Sequence, residues 1–244
     1  MKNEITRKDT SSMPSVFKKT GGPLTIDPKD ILIPKILLMQ GPSDWVMNGK
    51  AKLGDMMDSV SEKSIGTFES ALNFVPLFHY KTMKIYNADT SKPKLEKEVP
   101  WGPEVANLPW EELKDGHKYK NVACLNFYVM LENHLEEPGA TPYLLQFVKS
   151  SYKNGRKLIN HFLRMDSAGH SPIALTFKLT SNKEKNDDGT FAVFNVEEVK
   201  RTSADHAQIL LRWSDVVSKG AMKVDDRDER TMKDIPVTEN EVPF

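Results

Sequence analysis

Apolar and polar positions fall into blocks along this chain of 244 residues. Residues 1–30 are polar and interrupted by Gly21-Gly22-Pro23, so they read as a flexible N-terminal arm. The first apolar run is 31–39 (ILIPKILLM); Pro34 inside it disfavours a central strand or an unbroken helix, leaving an edge strand or a short buried segment. Residues 71–78 (ALNFVPLF) are mostly apolar and β-rich, and 79–86 (HYKTMKIY) alternate loosely, as strands do. Residues 89–118 are charged, punctuated by Pro and Gly, and carry Trp101 and Trp110. This composition predicts a long loop, with room for a short helix at 109–114. Residues 122–131 (VACLNFYVML) and 143–148 are buried-strand patterns. Ser150 and Ser151 can cap a helix running to Met165, with Leu158, Ile159, Phe162 and Leu163 on one face. Strands at 173–180 and 191–199 are joined through 181–190, where Asp188-Gly189 is the turn signal. Residues 204–219 form an amphipathic helix pattern with Ile209, Leu210, Trp213, Val216 and Val217 inward.

About six strands and two helices, without internal repeats, predict a mainly β domain at 31–220. Strand pairs linked by long loops suit a small antiparallel barrel, decorated by the two helices. No GxGxxG or GxxxxGK[ST] argues for a βαβ nucleotide-binding sheet. Residues 221–244 change character and read as a disordered acidic tail.

Charge sharpens this picture. There are 34 basic and 34 acidic side chains, so the net charge is zero and the chain is no simple polycation. The balance is uneven, however. Residues 225–244 hold seven acids against three bases, a net of −4, which leaves +4 on the remainder. The tail finishes with Asp234, Glu239, Glu241, Pro243 and Phe244. A terminal Phe beside its α-carboxylate is a compact two-part ligand, a ring for an apolar slot and an anion for an Arg or a backbone nest. The single Cys124 excludes a disulfide framework and any zinc site needing two thiolates. No apolar run reaches the ~18–20 residues of a membrane span, and no secretory signal opens the chain. These features place it in a reducing cytoplasm.

Two segments are free of Asp and Glu. Residues 70–88 carry Tyr80, Lys81, Lys84 and Tyr86; residues 138–165 carry Lys149, Tyr152, Lys153, Arg156, Lys157 and Arg164. Cations that track phosphates, interleaved with aromatic faces that stack bases, are what a groove for single-stranded nucleic acid needs. Phe127 and Tyr128 are neighbours in a strand and point to opposite faces; Tyr128 is the better outward candidate. Phe74, Phe78 and Phe147 read as core. Lys178, Lys183, Lys185, Lys200 and Arg201 flank the late hairpin, but Asp187, Asp188, Glu197 and Glu198 offset them.

The ending Glu241-Val242-Pro243-Phe244 resembles the acidic tip of bacterial and phage single-stranded DNA-binding proteins. Residues 33–60, the strand pair around VPLFHYKTMKIY and the hairpin FKLTSNKEKNDDGTFAVFNVEEV are similar to blocks in phage-encoded proteins of that type. Some of those relatives carry Cys clusters in the central loop; this chain has none, so no metal site is carried over. The resemblance implies an OB-like antiparallel β-barrel that coats single-stranded DNA in replication, recombination or repair. It also implies a host bacterial cytoplasm and no cofactor. Replication proteins such as DNA polymerase, helicase-primase or RNA polymerase would be recruited through the tail. A free edge strand and the N-terminal arm offer surfaces for a homodimer.

Enzyme motifs are sparse. The six His residues show no HxH or HExxH spacing, GxSxG is absent, and Cys124 lies in an apolar strand. Asp55, Asp58 and Glu62 leave one alternative, a Mg²⁺-dependent nuclease. A protein-interaction adaptor acting through the tail alone is the other. The expectation is a non-enzymatic binder.

Overall fold

A computed structural model of the chain describes residues 31–90, 93–137, 139–187, 189–219 and 223–224. The N-terminal arm and nearly all of the acidic tail, with Asp234, Glu239, Glu241, Pro243 and Phe244, lie outside the described residues. Among the described residues there are twelve strands: β1 (Leu32–Ile33), β2 (Lys35–Leu38), β3 (Met56–Asp58), β4 (Ser64–Gly66), β5 (Leu72–Asn87), β6 (Lys94–Pro100), β7 (Glu111–Lys114), β8 (His117–Leu131), β9 (Tyr143–Val148), β10 (Leu175–Asn186), β11 (Gly189–Arg201) and β12 (Lys223–Val224). The helices are α1 (Asp44–Met47), α2 (Pro103–Ala106), α3 (Tyr152–Ser167) and α4 (Ala207–Ser218). The fold is therefore mainly β, with four helices where two were expected; α1 and α2 are single turns.

Ten strands form one sheet in the order β11-β10-β5-β8-β9-β2-β3-β4, with β6 on β5 and β7 on β8. All pairings in it are antiparallel except β2 with β9. The path has two ends, so the closed barrel expected from the sequence is not formed by the ladder; the sheet is open. Side chains tie its β11 edge to the end of β2 and to the start of α3 instead. Gln40, just past β2, donates to Ala192 O and accepts from Ala192 N, each at 3.0 Å. Ser151 accepts from Phe194 N at 3.0 Å and Asn154 donates to Phe194 O at 2.6 Å. These groups satisfy the outer edge of β11 that a neighbouring strand would otherwise need.

Strands β5 and β8, of 16 and 15 residues, are the longest in the sheet. Their outer halves run on past β9 and β10 and pair with β6 and β7, making a four-stranded arm. This arm occupies the stretch expected to be a loop. The strands there are short and charged, with nearly every residue exposed, so no apolar alternation announces them. Pro76 is tolerated inside β5 because it sits at a register shift. Leu77 O beside that shift accepts a hydrogen bond from Ser214 of α4 at 3.1 Å.

The sheet is covered on both faces. Inside its curl, Phe74, Phe127, Phe147, Phe177, Phe194 and Leu145 surround Leu158 and Phe162 of α3. On the other face, α4 lays Leu210 and Val217 over Val75, Leu77, Tyr128, Met130 and Leu144. The central strands are apolar at most positions because both alternations are buried, and polar exceptions such as Thr82, Asn126 and Gln146 bond to one another. Gly155 lets α3 approach: a Cβ there would stand 2.8 Å from Phe147 Cβ and 3.0 Å from Leu125 Cδ1.

Candidate nucleic-acid interface

Where β2 and β9 face β11 across the open seam, a cleft of about 420 Å³ is left at the root of the arm. Lys35 of β2, Lys84 and Tyr86 of β5, Gln146 of β9 and the turn 149–151 line it, with the tip of the β10–β11 hairpin opposite. Three lysines face this space and no carboxylate lines it. Lys35 and Lys84 are only 7% and 5% exposed. Lys149 adopts φ 48°, a left-handed conformation that costs an L-residue about 1 kcal/mol or more. Such strain is commonly held where a site needs a side chain aimed. The turn from Lys149 leads straight into α3, whose N-terminal end adds a partial positive charge beside the cleft.

Beneath the lysines lies a buried polar network. Lys84 Nζ donates to Gln146 Oε1 at 2.8 Å, and Glu98 Oε2 stands 3.9 Å away. Gln146 Nε2 and Cys124 Sγ both donate to Asn126 Oδ1, at 2.7 and 3.2 Å. Asn126 Nδ2 donates to Thr82 Oγ1, which donates to Glu98 Oε1. The network fixes Lys84 at the cleft wall rather than leaving its ammonium free to sample solvent. Burial pushes the Cys124 thiol up to about 12, so it is no thiolate nucleophile at neutral pH.

Lys81 projects from the opposite face of the same strand. Its ammonium lies 3.1 Å from the Trp101 ring centroid and 5.8 Å from that of Tyr152. Trp101 is thereby a member of the cationic and aromatic group at the start of α3. Farther along α3, Arg156 and Lys157 are exposed. Lys153 and Arg164 are exposed too, but each meets an acid on the late hairpin: Lys153 pairs with Glu184 at 3.1 Å, and Arg164 lies 3.7 Å from Glu198. His161, hydrogen-bonded by Arg164, shares Glu198 at 3.0 Å. Its proton affinity is lowered chiefly by burial, then by the neighbouring guanidinium.

The sequence candidates thus divide. Lys84, Tyr86 and Lys149 meet in the cleft, joined by Lys35, which the sequence hid inside an apolar run. Lys81 and Tyr152 meet beside it. Tyr80 and Tyr128 do not reach either place. Phe127 and Tyr128 do point to opposite faces, but both faces are covered, and Tyr128 is 7% exposed with its ring 5.7 Å from that of Tyr80. Burial raises the phenol pKa of both. The carboxylates Asp55, Asp58 and Glu62 do not converge as a metal site would. Asp55 accepts from Lys52 N at 2.8 Å; Asp58 accepts from Val60 N, Ser61 N and Tyr143 Oη. Among the described residues no three His, Cys, Asp or Glu are grouped to hold a metal ion.

A second, larger hollow of about 770 Å³ lies in the arm between β6, α2 and β7. Glu96, Glu104, Glu112 and Asp115 outnumber Lys97 and Lys114 along it, so it repels a phosphate backbone.

Residues 7–223 match the model of a family described as Pam3 phage gp34-like protein. The chain belongs to that family. No curated protein and no solved structure matches it. Membership of the gp34-like family marks a phage-type protein, and the matched span takes in the whole cleft and the arm. No helix among the described residues is long and apolar enough to cross a membrane.

Proposed function

We propose that this gp34-like protein binds single-stranded DNA without reading its sequence, as a coating and recruiting protein in phage DNA metabolism within the host cytoplasm. The observation that carries the reading is the mouth of the seam cleft, where Lys149 and the N-terminal end of α3 meet and no carboxylate is on the lining. Trp101 and Tyr152 beside it supply ring faces, each worth about 1–3 kcal/mol per stacked base, and Lys81 adds a cation. Arg156 and Lys157 extend the cationic track along α3. The curl of the sheet about one core is the part of the OB-like expectation that this reading keeps.

The acidic segment 225–244 has its place in the same reading. Its −4 charge opposes the +4 of the rest, and a tethered segment has millimolar effective concentration. It competes with DNA for the cations. Displaced by DNA, it presents Glu241-Val242-Pro243-Phe244 to replication proteins such as a polymerase, a helicase-primase or RNA polymerase.

The test is fluorescence anisotropy of labelled oligo-dT with single- and double-stranded competitors, with and without Mg²⁺. Strand-selective binding that weakens with salt, without shortening of the oligonucleotide, is expected. Equal competition by duplex removes the single-strand reading, and Mg²⁺-dependent shortening replaces it with the nuclease. Changing the seven tail acids to their amides should tighten binding at low salt; unchanged affinity ends the competition idea.

A further inference from the structure

The cleft is sealed at its far end. Gln40, Ser151, Ala192 and Phe194 all line it, and the hydrogen bonds from Gln40 to Ala192 and from Ser151 to Phe194 cross the seam there. A nucleic-acid strand can enter from the arm root, past Tyr86 and Lys149, but has no way through between β2 and β11. What reaches Lys35 and Lys84 is therefore an end of a strand, or something no larger than a nucleotide. The volume, about 420 Å³, is that of a small-ligand site.

The charge fits an end as well. A phosphate monoester carries about −1.5 to −2 near neutral pH, because its second pKa is about 6, whereas an internal phosphodiester carries one negative charge. Three lysines with no carboxylate on the lining match the monoester better, Glu98 standing behind the wall 3.9 Å from Lys84 and offsetting part of that one charge. Two of the three are more than nine-tenths buried, where low dielectric strengthens their attraction for a dianion. Gln146, Asn186 and Thr190 on the lining can hydrogen-bond phosphate or base.

We propose that the seam cleft is a blind pocket for a terminal phosphate monoester, carried by a nucleic-acid strand end or by a free nucleotide. For the strand end, the proposal rests on the single-strand reading above; for the free nucleotide it does not.

The experiment compares labelled oligo-dT bearing a 5′-phosphate, a 3′-phosphate or hydroxyls at both ends, in the full chain and in Lys149→Gly. Lys149→Gly removes one cation at a left-handed position that glycine adopts readily, so it keeps the fold. Competition by dTMP, thymidine and inorganic phosphate forms the second arm. The expected result is that one phosphorylated end binds about tenfold tighter than the hydroxyl form, a difference of about 1.4 kcal/mol. That ratio falls at least threefold in Lys149→Gly, and dTMP competes while thymidine does not. Equal affinity for all three oligonucleotides with no competition by dTMP overturns the pocket and leaves strand binding standing. Binding of dTMP or phosphate with no oligonucleotide binding keeps the pocket for a free nucleotide and overturns the strand reading. No binding of any probe overturns both.

Discussion

Gly155→Ala tests the packing on which the cleft depends. Gly155 lies in the first turn of α3, directly over β9, and the new methyl would stand 2.8 Å from Phe147 Cβ and 2.9 Å from Phe147 Cγ. Phe147 cannot yield: it is fully buried and held by Phe127 at 5.6 Å and Phe194 at 5.8 Å between ring centroids. The clashing atoms sit at the base of the side chain, so no rotamer change relieves them. The helix must lift by about half an ångström. Overpacking of this kind costs roughly 1–3 kcal/mol. Replacing glycine by alanine inside a helix returns about 1 kcal/mol. The net expectation is a loss of up to about 2 kcal/mol, which lowers the melting temperature by up to about 8 °C for a domain of this size. Gly41→Ala is the control, since nothing lies within 4 Å of the added methyl; it should change stability by less than about 0.5 kcal/mol. Thermal unfolding followed by circular dichroism reads both. A Gly155→Ala melt above that of the parent would refute the close seating of α3 on β9, and with it the placement of residues 149–151 at the cleft.

Other substitutions separate the roles within the site. Lys149→Gly should raise stability by about 0.5–1 kcal/mol, since relief of the left-handed strain exceeds the entropy glycine loses. In the same variant the slope of log affinity against log salt should fall by about 0.7, the value of one phosphate contact on a single strand. Arg156→Ala and Lys157→Ala should each lower that slope similarly. Lys153→Ala and Arg164→Ala should change it less, because Glu184 and Glu198 already face those cations. His79 gives a pH dependence. It packs against Phe127 and Phe162, and burial lowers its pKa below 6.5. The unfolded chain therefore takes up a proton first, and stability present above pH 6.5 is lost as pH falls through the folded value. Melts at pH 7.5 and pH 5.5 should show that loss, and His79→Phe should reduce it.

Much of the body was legible because its patterns are simple. The run 122–131 is apolar at every position but Asn126, and β8 is indeed buried on both faces there. The helix from Ser151 and the late hairpin also lie where spacing and turn residues put them, though β10 and β11 extend several residues beyond the apolar core of each pattern. The arm was illegible for a physical reason: Lys94–Pro100 and Glu111–Lys114 expose nearly every side chain, so no alternation marks them as strands. The open seam was also hidden. It is joined by Gln40, Ser151 and Asn154, polar residues whose bonds to β11 cross 40 to 152 positions in sequence. Acid-free runs pointed to Lys84 and Lys149, but Lys35 sat inside ILIPKILLM and looked like an interruption of core. Tyr80 and Tyr128 were unreadable as solvent-facing or buried, because only the position of α4 decides it.

Lysine footprinting tests the central claim most directly. The full chain would be briefly acetylated with and without saturating oligo-dT, and each lysine quantified by mass spectrometry. Binding along the cleft and α3 predicts that Lys81, Lys149 and Lys157 lose reactivity several-fold, while Lys153, Lys178 and Lys200, each paired with an acid, change little. Uniform reactivity, or protection centred on Lys97 and Lys114 in the acidic hollow of the arm, would contradict it.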